Sequence, residues 1–135
     1  LRMKEHTSNA EKVADYLSNH DAVEKVIYPS KMEGYAKERA DKYLTRGNGG
    51  LMGFEIKGGI EAGKKFINAL EMVYHVANIG DARSLAIHPG STTHSQLNEE
   101  ELLAAGITPG FVRLSIGLEH IDDIIADYEQ ALSKV

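Results

Sequence analysis

A charged residue, Arg113, interrupts the apolar run Phe111–Ile116 near the end of the 135-residue sequence. Alternation along a strand would put Phe111, Arg113 and Ser115 on one face and the residues between them on the other. A charge in a core strand is costly unless it is paired, and the planar guanidinium of arginine suits bidentate capture of a carboxylate. Two hypotheses stay open from the residues alone: Arg113 binds a ligand carboxylate, or it is an edge-strand arginine paired with one of the chain's own acids.

A second group of polar residues follows a predicted strand at Gly80 and Asp81 and continues through Arg83 and Ser84. The hydroxyl and backbone polar groups of such a turn could help to seat a small anionic ligand. The alternative is an Asx-type turn, in which the aspartate satisfies the local backbone. Without further information, the residues favour the Asx-type turn.

A loop rich in hydroxyl groups is predicted between His88 and His94, with Ser91 and Thr92 inside it. A zinc site would need a third ligand and a closed geometry, and a serine–histidine nucleophile would need an acid to orient the histidine. The sequence places neither of these. We therefore interpret the segment as an ordered loop and predict no metal site.

The segment Gly58–Lys65 approaches the phosphate-binding pattern G-x-x-x-x-G-K and then departs from it. Lys65 stands where a serine or threonine would bind magnesium, and Glu61 would put a carboxylate where a phosphate must lie. We therefore predict a Gly-Gly turn that leads into a helix whose Lys64 and Lys65 face water.

The composition excludes several classes of protein. The net charge is −5, with acidic and basic residues interleaved, whereas nucleic-acid binding calls for a basic patch. No apolar run reaches the roughly 18 residues of a membrane helix, so we expect neither a nucleic-acid nor a membrane partner. The absence of cysteine rules out disulfides, thiolate nucleophiles and cysteine-type zinc sites, and it fits a cytoplasmic location.

The length of 135 residues corresponds to one ordinary domain. The sequence starts at Leu1 without an initiator methionine and without the apolar segment of a signal peptide. The first predicted helix also has no residue that could cap its N-terminus. We therefore expect a segment taken from a longer chain.

Hydrophobic periodicity predicts an alternation of helices and strands. The predicted helices are Met3–Asn19, Tyr35–Leu44, Ile60–Leu70, Glu99–Ala105 (capped by Asn98) and Ile121–Leu132. The predicted strands are Ala22–Tyr28, Leu51–Ile56, Val73–Ile79, Ser84–Ile87 and Phe111–Ile116. This order, with short connections and half-polar strands, favours an α+β fold with a partly antiparallel four- to five-stranded sheet and helices packed on one face.

Three segments, Asn78–Pro89, Ser91–Leu97 and Gly106–Glu119, resemble in order and spacing the C-terminal third of the Cys/Met-metabolism PLP-dependent enzymes. Residues 1–19 resemble the inter-domain helix of that family. The resemblance implies that residues 1–135 form the small C-terminal domain of a fold type I PLP enzyme. It also implies that the large, PLP-binding domain lies outside this chain.

The resemblance implies specific roles for several residues. Arg113 matches the arginine that binds the substrate α-carboxylate, and Ser84 matches a small residue that also contacts the amino-acid end. Arg83, His88 and Thr92 would belong to a loop at the site. No lysine of the chain lies in the Ser/Thr-rich setting of the family's Schiff-base lysine, so no catalytic or cofactor-binding residue is expected here. Pyridoxal 5'-phosphate would serve the whole enzyme, and this chain alone would neither bind it covalently nor catalyse.

The segments Gly80–Leu85 and Ser91–Gln96 resemble most the members that act on O-acetylhomoserine, replacing acetate with sulfide or a thiol to give homocysteine for methionine biosynthesis. Members that process cystathionine tend to carry glutamate where Arg83 stands. Methionine γ-lyase and cystathionine γ-synthase or lyase remain alternatives, as does a non-catalytic binding module. The resemblance further implies an amino-acid substrate and a homo-oligomer, a tetramer, for the full-length enzyme.

Overall fold

The computed structural model describes the backbone of residues 1–135 and every side chain except that of Glu99. Its helices are α1 (Arg2–Ser18), α2 (Gly34–Tyr43), α3 (Gly59–Ala69), α4 (Glu99–Ala104) and α5 (Ile121–Leu132). Its strands are β1 (Val23–Ile27), β2 (Leu51–Ile56), β3 (Tyr74–His75), β4 (Leu85–Ile87) and β5 (Phe111–Ser115). The predicted α+β class and element order are confirmed. Within the described part of the chain, no helix is both long and apolar enough to cross a membrane.

The five strands form one mixed sheet in the order β1-β2-β5-β4-β3. All neighbouring pairs are antiparallel except β3 and β4, which are parallel. The last strand in the chain, β5, therefore lies at the centre of the sheet. Arg113 lies opposite Gly53 of β2 and Ile87 of β4, so it occupies a central strand and not an edge.

Helices α1, α3 and α5 cover one face of the sheet, where Val112 and Leu114 of β5 are fully buried. Aromatic rings connect the layers. Phe54 of β2 meets Phe66 of α3 edge-on at 5.4 Å between ring centroids, and Phe66 lies 6.1 Å from Tyr128 of α5. Such aromatic contacts add to the stabilisation that apolar burial provides. Arg113 is half-exposed on the opposite face, as strand alternation predicts.

The prediction of a strand over Val73–Ile79 is wrong, because regular pairing there is limited to Tyr74 and His75. The partner strand β4 has only three residues, so it cannot support a longer ladder. From Ala77 to Gly80 the backbone bonds to side chains instead: the Ala77 carbonyl accepts from Arg113, and the Gly80 N–H donates to the Ser115 hydroxyl. The chain between β3 and β4 is therefore a loop laid across the sheet.

A buried carboxylate on α5 holds the connection between α3 and β3. Asp127 accepts hydrogen bonds from the backbone N–H groups of Glu71, Met72 and Val73, at 2.9, 3.0 and 2.9 Å. The Gln130 side chain donates to the same carboxylate at 2.9 Å. Because hydrogen bonds to a charged acceptor are stronger than neutral ones, this cluster substitutes for regular secondary structure in the connection.

We predict that Asp127→Ala lowers the free energy of unfolding by about 3–5 kcal/mol, since three backbone N–H groups lose a charged acceptor. Urea unfolding followed by circular dichroism measures the change. Asp123→Ala, an exposed acid in the first turn of the same helix, is the control and should cost less than about 1 kcal/mol. Equal losses in the two variants would contradict the role given to Asp127.

Candidate functional site

The sheet face opposite the helices carries Arg113 under the loop between β3 and β4. The Arg113 Nη2 group donates to the Ala77 carbonyl at 2.5 Å, and the Gly80 N–H donates to the Ser115 hydroxyl at 3.0 Å. Two residues of β5 therefore hold this loop against the sheet. The structure brings Arg113 and Gly80, the first residue of the predicted polar turn, to the same face.

The Arg113 guanidinium has no acidic partner among the side chains that the structure describes, for which every recorded ion pair involves other residues. Its one recorded hydrogen bond goes to a neutral carbonyl, whereas a guanidinium offers five N–H donors. The hypothesis of an edge-strand arginine paired with one of the chain's own acids does not describe this geometry. The donor set instead suits an external carboxylate or another anion.

Ser84 lies directly before β4 and is completely buried, with 0% of its surface exposed. Its N–H donates to Glu119 Oε1 at 2.6 Å, and its hydroxyl donates to Oε2 of the same carboxylate at 2.8 Å. The hydroxyl oxygen accepts from the Gly117 N–H at 2.9 Å, and the Ser84 carbonyl accepts from the Tyr74 N–H at 3.1 Å. Every polar group of Ser84 is therefore engaged inside the protein. Its predicted contact with a ligand stays a prediction.

Arg83 is exposed beside Ser84 and is held by local contacts. Its guanidinium lies 3.2 Å from the Asp81 carboxylate and 4.5 Å from the centre of the Tyr74 ring. The Arg83 N–H also donates to Asp81 Oδ1 at 3.0 Å, which is the Asx-type turn that the residues favoured. Hydrogen bonds from Arg83 keep the pKa of the Asp81 carboxyl below its usual value. An oriented cation therefore stands at the end of the loop.

His88 is buried at the end of β4 and connects three segments. Its Nε2–H donates to the Pro109 carbonyl at 2.8 Å, and its Nδ1 accepts from the Ser91 hydroxyl at 2.8 Å. The ring also packs against Gly63 of α3, where a Cβ atom would overlap it. The Thr92 hydroxyl donates to the His88 carbonyl at 2.8 Å. These contacts give His88 and Thr92 a structural function within an ordered loop.

His94 shares no ligand with His88; its ring bonds to the Thr93 hydroxyl at 2.9 Å. In the part of the chain with described side chains, no three histidines or acids converge as metal ligands do.

The Gly-Gly turn at the start of α3, Gly58 and Gly59, has φ angles of 99° and 64°, which glycine adopts readily. Lys64 bonds to Glu61 at 2.8 Å one helical turn away, as expected for a water-facing helix surface and not for a phosphate-binding loop.

A family model described as "Cys/Met metabolism PLP-dependent enzyme" matches residues 1–133. The chain belongs to this family. It is 55% identical to the O-acetyl-L-homoserine sulfhydrylase of Leptospira meyeri, over 100% of this chain and 31% of that protein. It is 44% identical to the L-methionine gamma-lyase of Fusobacterium nucleatum subsp. polymorphum, over 100% of this chain and 34% of that protein.

A crystal structure of a candidate O-acetylhomoserine (thiol)-lyase from Campylobacter jejuni, with a pyridoxyl-lysine, superposes on the chain with a TM-score of 0.88 and 44% identity. The superposition covers 98% of this chain and 31% of that chain. The fold is therefore that of part of a Cys/Met-metabolism PLP-dependent enzyme. The chain spans about a third of the length of the relatives it matches, and those relatives are enzymes that act on amino-acid substrates.

The family uses pyridoxal phosphate, and the lysines of this chain are the side chains that could hold that group as an imine. A lysine that forms an imine is usually desolvated, which lowers its pKa. All lysines of this chain are exposed or half-exposed, and several pair with acids of the chain, namely Lys31 with Asp15, Lys37 with Asp41 and Lys64 with Glu61. These residues do not fit the attachment of the cofactor, whereas Arg113 fits the binding of a carboxylate.

The residues that sequence analysis missed are those that hold the site. Glu119 and Gly117 bind Ser84, and Ala77 accepts from Arg113. Ser115 was placed on the correct face, but its bond to the loop was not predicted. One feature of the sequence could have pointed to Glu119. It stands two residues after Gly117, the glycine that follows the predicted strand containing Arg113.

We predict that acid destabilises the folded state through His88. Burial, the largest cause, lowers the pKa of His88 in the fold, whereas the unfolded residue titrates near the ordinary value of about 6.5. The unfolded state therefore binds more protons below that pH, and the free energy of unfolding falls as the pH falls. Urea unfolding between about pH 7.5 and 5.5, on either side of the ordinary histidine pKa, should show this slope. His88→Gln, which stays neutral, should reduce the slope.

His120→Gln is the matched control for this pH series. His120 is exposed, with 70% of its side-chain surface accessible, and its replacement should leave the slope close to that of the wild type. A His88→Gln variant with an unchanged slope would show that other groups cause the acid sensitivity.

Proposed function

We propose that this chain supplies the α-carboxylate-binding part of an enzyme that replaces the acetate of O-acetylhomoserine with sulfide or a thiol, giving homocysteine. The observation that carries the proposal is Arg113: a half-exposed guanidinium in a central strand, without an acidic partner among the described side chains. The relative with 55% identity is named as an O-acetyl-L-homoserine sulfhydrylase. Methionine biosynthesis is the process that such a product serves.

In this proposal the chain binds and orients the substrate and does not itself react with it. Arg113 holds the α-carboxylate by a charge-assisted, two-pronged hydrogen bond, and Ser84 defines the adjacent wall. The chain corresponds to the small C-terminal domain, with α1 as the helix that joins it to the rest of a longer, homotetrameric protein. Pyridoxal phosphate and its lysine belong to the part of that protein outside this chain.

Methionine γ-lyase is the second candidate function, because a relative with that name is 44% identical over the whole chain. The two reactions share an amino-acid substrate, so Arg113 would have the same role in both. They differ in what leaves the γ-carbon and in what replaces it. The site geometry of this chain, which concerns the carboxylate end, supports both, and the higher identity of the sulfhydrylase relative favours the first.

We predict that the full-length enzyme forms homocysteine from O-acetylhomoserine and sulfide, and turns over methionine and cystathionine at least about tenfold less efficiently, a difference of about 1.4 kcal/mol in transition-state stabilisation. Initial rates with the three substrates measure kcat/KM for each. Preference for methionine would favour the lyase. A full-length protein that binds amino acids without converting any of them would favour a non-catalytic binding module.

We predict that Arg113→Lys in the full-length enzyme weakens carboxylate binding by about 1.5–3 kcal/mol, because the ammonium group cannot form the planar fork. Steady-state kinetics should show KM for the amino acid raised by about tenfold or more. Arg39→Lys is the control, since Arg39 lies exposed on α2 over the Tyr35 ring. Unchanged amino-acid affinity in Arg113→Lys would refute the assignment.

We predict that this chain alone, mixed with pyridoxal phosphate, forms no site-specific imine, because every lysine is exposed or half-exposed and none is buried. An absorbance spectrum before and after borohydride reduction, followed by peptide mapping, measures attachment. Labelling concentrated on a single lysine would contradict the prediction, whereas weak labelling spread over the surface lysines would not.

A further inference from the structure

We propose that Glu119 is a positioning residue for the substrate site: its carboxylate fixes Ser84, and with it the loop that crosses Arg113. The inference rests on the proposed function, because it assigns Glu119 to the same amino-acid site. The pattern of the sequence did not single out Glu119.

The contact between Glu119 and Ser84 uses both oxygens of the carboxylate. Oε1 accepts the Ser84 N–H at 2.6 Å, and Oε2 accepts the Ser84 hydroxyl at 2.8 Å. Ser84 is fully buried and Glu119 is half-buried, so water competes poorly for these bonds. A carboxylate that accepts from both a backbone and a side-chain donor fixes the position and the direction of the residue it holds.

The backbone around Glu119 is shaped to allow this contact. A Cβ atom at Gly117 would overlap Glu119 Oε2, the Ser84 nitrogen and the Ala82 carbonyl, so this close approach requires glycine. The Leu118 N–H donates to the Ala82 carbonyl at 2.7 Å. The residues before Ser84 are therefore held by the same segment that carries Glu119.

Helix α1 also holds the segment that contains Gly117 and Glu119. The Asn9 side chain, which is 1% exposed, donates to the Gly117 carbonyl at 3.2 Å and to the Glu119 carbonyl at 3.0 Å. Glu119 therefore projects from a backbone that cannot easily shift. A rigid support of this kind is what a positioning residue needs in order to transmit its geometry.

The loop between β3 and β4 is consequently fixed at two places. At one end Arg113 and Ser115 hold Ala77 and Gly80, and at the other end Glu119 holds Ser84. Because both donors of Ser84 already serve Glu119, Ser84 would act on a substrate through its position and not by donating to it. Loss of the bond from the Ser84 hydroxyl would leave Arg113 in place but loosen the end of the loop that crosses it.

The test is a double-mutant cycle of Glu119→Gln and Ser84→Ala in the full-length enzyme. Glutamine can still accept the Ser84 N–H, but its amide nitrogen cannot accept the hydroxyl proton. Both changes remove the hydrogen bond from the Ser84 hydroxyl to Glu119 Oε2, and Ser84→Ala also removes the bond that this hydroxyl accepts from the Gly117 N–H. Each should raise KM for the amino acid about tenfold, the scale of one charge-assisted hydrogen bond, with a smaller effect on kcat. The double variant should resemble Ser84→Ala, in which the hydroxyl bond to residue 119 is already absent.

Glu61→Gln is the matched control, because Glu61 is an exposed acid on α3 paired with Lys64. Thermal midpoints and bound-cofactor content confirm that each variant is folded; if Glu119→Gln does not fold, Glu119→Asp takes its place in the cycle. Effects on KM that multiply in the double variant would overturn the proposal, since they would mean that Ser84 contacts the substrate independently. A wild-type KM in Ser84→Ala would overturn it as well.

The cycle is measured with whichever amino-acid substrate the wild-type enzyme converts. Activity with methionine and none with O-acetylhomoserine would refute the proposed reaction, while the cycle would still decide the role of Glu119, because every candidate substrate carries an α-carboxylate. Conversely, sulfhydrylase activity with independent effects of the two variants would uphold the reaction and refute the positioning role.

Discussion

The segment that follows β5 is the constraint on which the rest of the site depends. Its backbone carbonyls accept from two buried side chains of α1, with His6 Nδ1 at 2.6 Å from the Ile116 carbonyl and Asn9 at 3.2 Å from the Gly117 carbonyl. Its N–H at Gly117 and its Glu119 side chain both bind Ser84. The first helix, the central strand and the loop over Arg113 therefore meet in a few residues. A substitution that displaces one of these three elements should therefore displace the other two as well.

Buried polar groups, and not regular secondary structure, hold the irregular parts of this fold. An unpaired polar group in the interior costs free energy, and three buried side chains, those of Asp127, Ser84 and His88, have their partners on or beside connecting segments. Asp127 holds the chain before β3, Ser84 holds the chain after it, and His88 joins β4 to the segment before β5. These bonds explain how a sheet with two very short strands keeps a defined loop across its face.

The helices and long strands could be predicted from the sequence because apolar residues repeat with the period of the buried face. The same reasoning placed Arg113 on the face opposite Val112 and Leu114. It failed for Val73–Ile79, since the length of a strand is set by its partner, and β4 has only three residues. It also missed Glu119, whose partner Ser84 is 35 residues away in the sequence. An acid that binds a distant backbone group has the same local pattern as one that faces water.

The hydrogen bond from Arg113 to the Ala77 carbonyl has a consequence for affinity. A free arginine side chain carries about 2 kcal/mol of rotamer entropy, which a ligand would otherwise have to remove when it binds. Because Nη2 is already anchored on the loop, part of that entropy is lost during folding, before any ligand arrives. The remaining donors are presented in one orientation. By anchoring the guanidinium before any ligand arrives, the loop would make it a preorganised receptor in the proposed carboxylate site.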